Sequence, residues 1–150
     1  MKNAHRSLVA IAAMVALAVL MVGRHNVAQA NDDGCNASTV RGVYGIATSG
    51  YVSNTFNGNP QQVGRFFPLA AAGTFSFDGR GNTSRSLMAS FGGATFPISD
   101  TGTYTVNADC SMSATYSDGT WSMTIIGRGK EIKAINTAPG TAVQGVLTKQ

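Results

Sequence analysis

From about residue 40 to the C-terminus the chain alternates apolar and polar residues in short runs, each closed by glycine, asparagine, aspartate or proline. No stretch carries the i, i+3, i+4, i+7 apolar stripe of an amphipathic helix, so the period-two pattern predicts strands. Eight are expected. The first covers about Val40–Val52. The second, about Val63–Asp78, sets Gly73, Phe75 and Phe77 against Thr74 and Ser76, with a bend or edge at Pro68, which cannot donate to a ladder. The third spans Asn82–Phe91. The fourth, Thr101–Asn107, alternates Tyr104 and Val106 with threonines. The fifth, Cys110–Ser117, sets Met112, Ala114 and Tyr116 on one side. The sixth, Thr120–Gly127, does the same with Trp121, Met123 and Ile125. The seventh is Glu131–Asn136, with Ile132 and Ala134 opposite Glu131 and Lys133. The eighth is Thr141–Lys149.

The turns Asp78–Gly81, Asn107–Asp109 and Gly127–Gly129 are short and suited to hairpins, whereas Ser53–Gln62 and Gly92–Asp100 are longer. In an up-and-down meander the short turns gather at one end and the long loops at the other. The expected fold is therefore all-β: an antiparallel meander of eight strands in a closed or nearly closed barrel, with a two-sheet sandwich as the alternative. Closure removes sheet edges, and eight strands enclose room for side chains or one small ligand.

The first thirty residues read differently. Lys2 and Arg6 precede an apolar run, Leu8–Val22, and Val27-Ala28-Gln29-Ala30 offers a small-x-small cleavage site. This is the pattern of a secretory signal peptide, too short in its apolar part for a membrane span. The expected organisation is a signal over residues 1–30 and one barrel domain over 31–150, secreted or periplasmic, with no membrane span after cleavage. Of eleven basic residues three, Lys2, Arg6 and Arg24, lie in this leader, leaving eight against seven acidic ones, a net charge of +1. Nothing remains of a basic footprint for nucleic acid. Both histidines, His5 and His25, also lie in the leader, which removes histidine-based nucleophile pairs and imidazole metal sites. No metal or cofactor is expected. Cys35 and Cys110, in an oxidising compartment, are expected to form a disulfide. Cys35 lies before the first strand and Cys110 begins the fifth, on the opposite wall of a barrel. The N-terminal segment must then cross the tight-turn end as a lid, leaving the other rim open.

The segments Cys35-Asn36-Ala37-Ser38, Gly42-Val43-Tyr44-Gly45, Gly73 to Asn82 (GTFSFDGRGN), Gly102 to Cys110 (GTYTVNADC) and Gly129-Lys130-Glu131-Ile132 occur in this order. Together they resemble a group of small secreted, largely uncharacterised bacterial proteins, and in architecture the chain resembles the calycin barrels, lipocalins and avidins. The resemblance implies the fold and supplies no activity. With Trp121 as its one tryptophan, the chain lacks the several that line an avidin pocket, so biotin binding is not implied.

Tyr44, Phe75, Tyr104, Tyr116 and Trp121 are the inward-facing candidates for lining a pocket for an apolar or aromatic ligand, since barrel mouths are favoured binding places. Otherwise they are core. Phe66, Phe67, Phe96 and Phe56 are candidates for gating the mouth or meeting a protein partner. Asp78, Asp109 and Asp118 adjoin turns, where aspartate binds local backbone, and Glu131 shares an outer face with Lys133. Asp100, near the loop-rich rim, could act with a rim tyrosine. No residue is singled out as catalytic. The function expected is a noncatalytic barrel that binds a small apolar ligand or a partner. The alternatives are a cyclase or isomerase acting by confining its substrate, and a structural or inhibitory envelope protein acting through its rim.

Overall fold

The computed structural model describes residues 34–53 and 64–150. The leader expected over residues 1–30 and nearly all of the loop expected over Ser53–Gln62, with Phe56, lie outside the described residues. Eight antiparallel strands follow one another around a closed barrel: β1 (Gly42–Ser53), β2 (Phe66–Phe77), β3 (Asn82–Phe91), β4 (Ala94–Val106), β5 (Ser111–Tyr116), β6 (Gly119–Ile126), β7 (Glu131–Asn136) and β8 (Thr141–Lys149), which pairs back onto β1. The sandwich alternative is thereby excluded. Among the described residues no helix is long and apolar enough to cross a membrane.

Strict alternation of buried and exposed positions makes the interior. Thr83, Arg85, Leu87 and Ala89 of β3 point inward, as do Trp121, Met123 and Ile125 of β6 and Val143 and Leu147 of β8. Each of these strands follows the period of two that its sequence carries.

Two expectations about connections need correction. The third connection is not a long loop over Gly92–Asp100. It is a two-residue hairpin turn, Gly92-Gly93, and β4 begins at Ala94, seven residues earlier than expected. Both glycines have positive φ (57° and 93°), the conformation such a turn requires and that side chains with a Cβ disfavour. Nor does Pro68 interrupt β2. It pairs with Tyr51 of β1, while pairing with β3 begins only at Leu69, so its missing N–H costs no ladder bond to β3.

The rim is uneven. Pairing of β3 with β4 runs up to Phe91 and Ala94, but β4 meets β5 only from Thr103 to Val106. Among the described strands, Ala94–Gly102 therefore has β3 as its one neighbour, and Pro97 sits in this edge.

The opposite end is sealed. A short 3-10 helix, Ala37–Val40, is capped by Asn36, whose Oδ1 accepts from the Ser38 N–H at 2.9 Å. Val40 is fully buried, Cys35 donates its N–H to the Ala108 carbonyl, and a disulfide joins Cys35 to Cys110. The chain before β1 thus reaches the start of β5, as a lid would. Below it stands a column of rings: Tyr104 to Phe77 at 5.1 Å, Phe77 to Phe75 at 6.4 Å and Phe75 to Tyr116 at 5.5 Å between centroids, with Tyr44 edge-on to Phe77 at 5.6 Å. Edge-to-face ring pairs add to the stabilisation from burial. The phenols at the sealed end are satisfied: Tyr44 donates to the Gly129 carbonyl at 2.6 Å and Tyr104 to the Ala37 carbonyl at 3.0 Å. Gly102 lets the β5 backbone and the last ring come close, since a Cβ there would overlap the Thr115 carbonyl oxygen and come within 2.9 Å of Tyr116 Cδ1.

Candidate functional site

Above the ring column the barrel is hollow. A cavity of about 330 Å³ occupies the half that lies toward the open rim. That is at the small end of the range for ligand sites. Its walls are apolar: Val52 of β1, Leu69 and Ala71 of β2, Leu87, Ala89 and Phe91 of β3, Phe96 and Ile98 of β4, and Val143 of β8. Among the described residues its polar lining is confined to Thr48, Arg85, Asp118, Asn136 and Thr141. Trp121 completes the wall, and its Nε1 is buried with no hydrogen-bond partner among the described residues. An unmet buried donor of this kind costs about 1–3 kcal/mol.

Arg85 is the central polar group, only 3% exposed. Its Nε and Nη2 donate to the two oxygens of Asp100 at 2.6 and 3.0 Å, and its Nη1 donates to Asp118 Oδ2 at 3.0 Å. Nη2 also lies 2.9 Å from Asp118 Oδ1, so the guanidinium is forked to both carboxylates. Its Cζ stands 4.3 Å from the centroid of the Tyr116 ring, the top of the column. Arg85 and Asp100 are directly opposite in the register of β3 and β4, and Asp118 comes from the β5–β6 turn. Ser117 of the same turn donates its hydroxyl to Asp100 Oδ2 at 2.7 Å. The cluster bridges the wall where the β4–β5 backbone ladder has stopped.

The electrostatics follow from these contacts. Burial alone would lower the Arg85 pKa, but the hydrogen bonds it donates to the two aspartates, with their negative charges, outweigh it and raise it. The Arg85 hydrogen bond holds the Asp100 carboxyl below the usual carboxylate range, against desolvation, with help from Ser117. Burial pushes Tyr116 up to about 12, and burial with the neighbouring Tyr104 does the same to Tyr44. Tyr104 is also raised, chiefly by burial.

Asp100 gives a pH dependence with a definite sign. Its folded-state pKa is depressed, so its contribution to stability is complete above the ordinary aspartate value of about 3.9 and is lost as pH falls through the lower folded value. Asp100→Asn removes that contribution. Acid titrations of unfolding midpoint are expected to show the variant less stable than wild type at pH 6 and the two curves converging below about pH 4. Parallel curves would contradict the role given to Asp100.

The residues expected to bind ligand divide between the two halves. Trp121 lines the cavity. Tyr44, Phe75, Tyr104 and Tyr116 pack in the ring column instead and do not line it. Phe96 lines the mouth, whereas Phe66 points outward on β2 and Phe67 packs on Phe91 at 5.6 Å. Asp78 and Asp109 bind the backbone N–H groups of their own turns, as expected. Asp118 does not. It turns inward to Arg85, because that buried cation supplies donors no local N–H can match. Asp100 faces the same arginine rather than a rim tyrosine. Arg85 itself was missed, although its position carried a signal: it stands in phase with the inward Thr83, Leu87 and Ala89 of a strand whose bounds were clear. Among the described residues no three His, Cys, Asp or Glu side chains stand close enough together to hold a metal ion. No protein-family model matches the chain, and no curated protein matches it.

Proposed function

We propose that this protein is an exported, noncatalytic carrier that holds one small, largely apolar molecule in the open half of its barrel. The observation that carries the reading is the cavity of about 330 Å³, walled by aliphatic and aromatic side chains and floored by a few polar groups around Arg85. Apolar walls supply affinity, and a small number of placed polar groups fix orientation. The division of labour along the barrel supports it too. One half is packed solid and tied by the Cys35–Cys110 disulfide, so the other half need not be filled for the barrel to hold. A meander barrel sealed at one end and hollow at the other supports kinship with the calycins in architecture. The disulfide and the basic–apolar leader of residues 1–30 support export.

The acid–base properties favour a carrier over an enzyme. General acid–base catalysis is most effective with a pKa near the working pH. Tyr44 and Tyr116 are instead pushed up to about 12 and Asp100 is pushed down, away from neutrality in both directions.

Trp121 is the chain's one tryptophan, so its emission reports on the cavity alone. Titrating the purified protein with octanol is expected to give a saturable change in Trp121 emission with one site per chain. A linear, non-saturating response to octanol and to its shorter and longer homologues would overturn the reading.

A further inference from the structure

The polar floor of the cavity carries more acid than base. Arg85 supplies one positive charge, and Asp100 and Asp118 supply two negative ones. The remaining lining residues among those described are uncharged. Of the other charges toward the open rim, Arg65 is exposed just before β2, where water screens it, and the sequence from 54 to 63 contains none. The two carboxylates are not equivalent. Asp100 is 20% exposed, lies behind Arg85, and is also held by the Ser117 hydroxyl. Asp118 is 45% exposed and lines the cavity; its Oδ2 takes one hydrogen bond from Arg85 and its Oδ1 lies 2.9 Å from Arg85 Nη2 as an ion pair. A carboxylate oxygen accepts about two, so Asp118 keeps acceptor capacity.

On this basis, and resting on the carrier reading above, we propose that the cavity selects amines: molecules with an apolar body and a protonated amino head group. An ammonium supplies three donors and one positive charge, which meets the spare acceptor capacity of Asp118 and brings the floor to neutrality. Trp121 lines the same cavity, and an aromatic wall attracts a cation where an aliphatic one does not. Among the described residues a carboxylate head has only one unmet buried donor to accept from, the neutral Trp121 Nε1–H. It reaches the guanidinium only by expelling Asp118, which exchanges one carboxylate for another and gains nothing, and until then it faces a net negative floor. A neutral alcohol is accepted by the walls without help from the charge.

The test compares octylamine, octanol and octanoate, matched in apolar length, by Trp121 emission at pH 7 and low salt. Octylamine is expected to bind at least about tenfold more tightly than octanol, the size of effect one paired charge gives in a partly solvated site, and octanoate more weakly than octanol. In Asp118→Asn the ratio of octylamine to octanol affinity should fall to about one, whatever the octanol affinity of the variant is; a ratio kept at its wild-type value overturns the amine proposal. Octylamine binding no tighter than octanol, or octanoate binding tightest, overturns the amine proposal and leaves the carrier reading standing. Saturable binding by none of the three overturns the carrier reading and the proposal with it. If Asp118→Asn fails to bind octanol, the ranking of the three head groups on the wild-type protein decides alone.

Discussion

Replacing Arg85 with methionine is expected to lower the free energy of unfolding by about 3 kcal/mol at pH 7, the lower end of the range for stripping a buried charge of its partner. The lower end applies because the two aspartates left behind differ. Asp118, on a turn and nearly half exposed, can rotate into water, whereas Asp100 is held among the inward positions of β4. The loss is more than electrostatic. Arg85 joins β3 to β4 through Asp100 and to the β5–β6 turn through Asp118, at the level where β4 and β5 no longer share backbone hydrogen bonds. Urea denaturation at pH 7 measures the effect, and repetition at pH 3 identifies its cause. Without the guanidinium, Asp100 titrates at a higher pH, so protonation relieves the variant while it costs the wild type an ion pair. The difference between the two proteins should therefore shrink as pH falls. A variant as stable as wild type at pH 7 would show that the cluster is not what closes the wall.

The second large effect lies at the other end. Changing both Cys35 and Cys110 to serine is expected to cost about 4 kcal/mol, the chain-entropy value for a crosslink of this span, since the cysteines are 75 residues apart. The crosslink also holds the lid, so its loss frees the segment that buries Val40 and accepts the Tyr104 phenol. The midpoint of chemical denaturation checks the magnitude. Trp121 emission checks the location: it should be unchanged in the folded variant, because the ring column from Tyr104 to Tyr116 lies between the lid and the cavity. A shift of under about 1 kcal/mol would mean that the lid holds its place without the crosslink.

Much of the barrel was legible in the sequence because strands declare themselves by period. The bounds read for β3, β7 and β8 match those observed, and each has a clean alternation of inward and outward positions. Pro68 reads as a bend or an edge, and of the two it is the edge: β2 runs straight through it but has no β3 neighbour there, because neighbours are a property of the closed barrel rather than of the local chain. The site was less legible than the fold for a related reason. Aromatic residues mark the interior without saying which half of it they fill, so four of the five pocket candidates stand in the packed half. The charged cluster escaped because its members lie on three separate parts of the chain. Asp118 looked like any turn aspartate until β5 and β6 brought its turn beside Arg85.

The exposed flank of β4 bears on how the protein survives at high concentration. From Ala94 to Gly102 this strand offers backbone groups to one side without a described partner, the arrangement through which sheets of different molecules join and aggregate. Among the described strands the other stretches with one neighbour, such as Phe66–Pro68 of β2, are shorter, so this flank is where such joining would begin. Pro97, near its middle, withholds a donor and spoils the repeat that an incoming strand needs. The tall wall that frames the mouth thus carries its own safeguard against self-association, in a single ring that cannot hydrogen-bond.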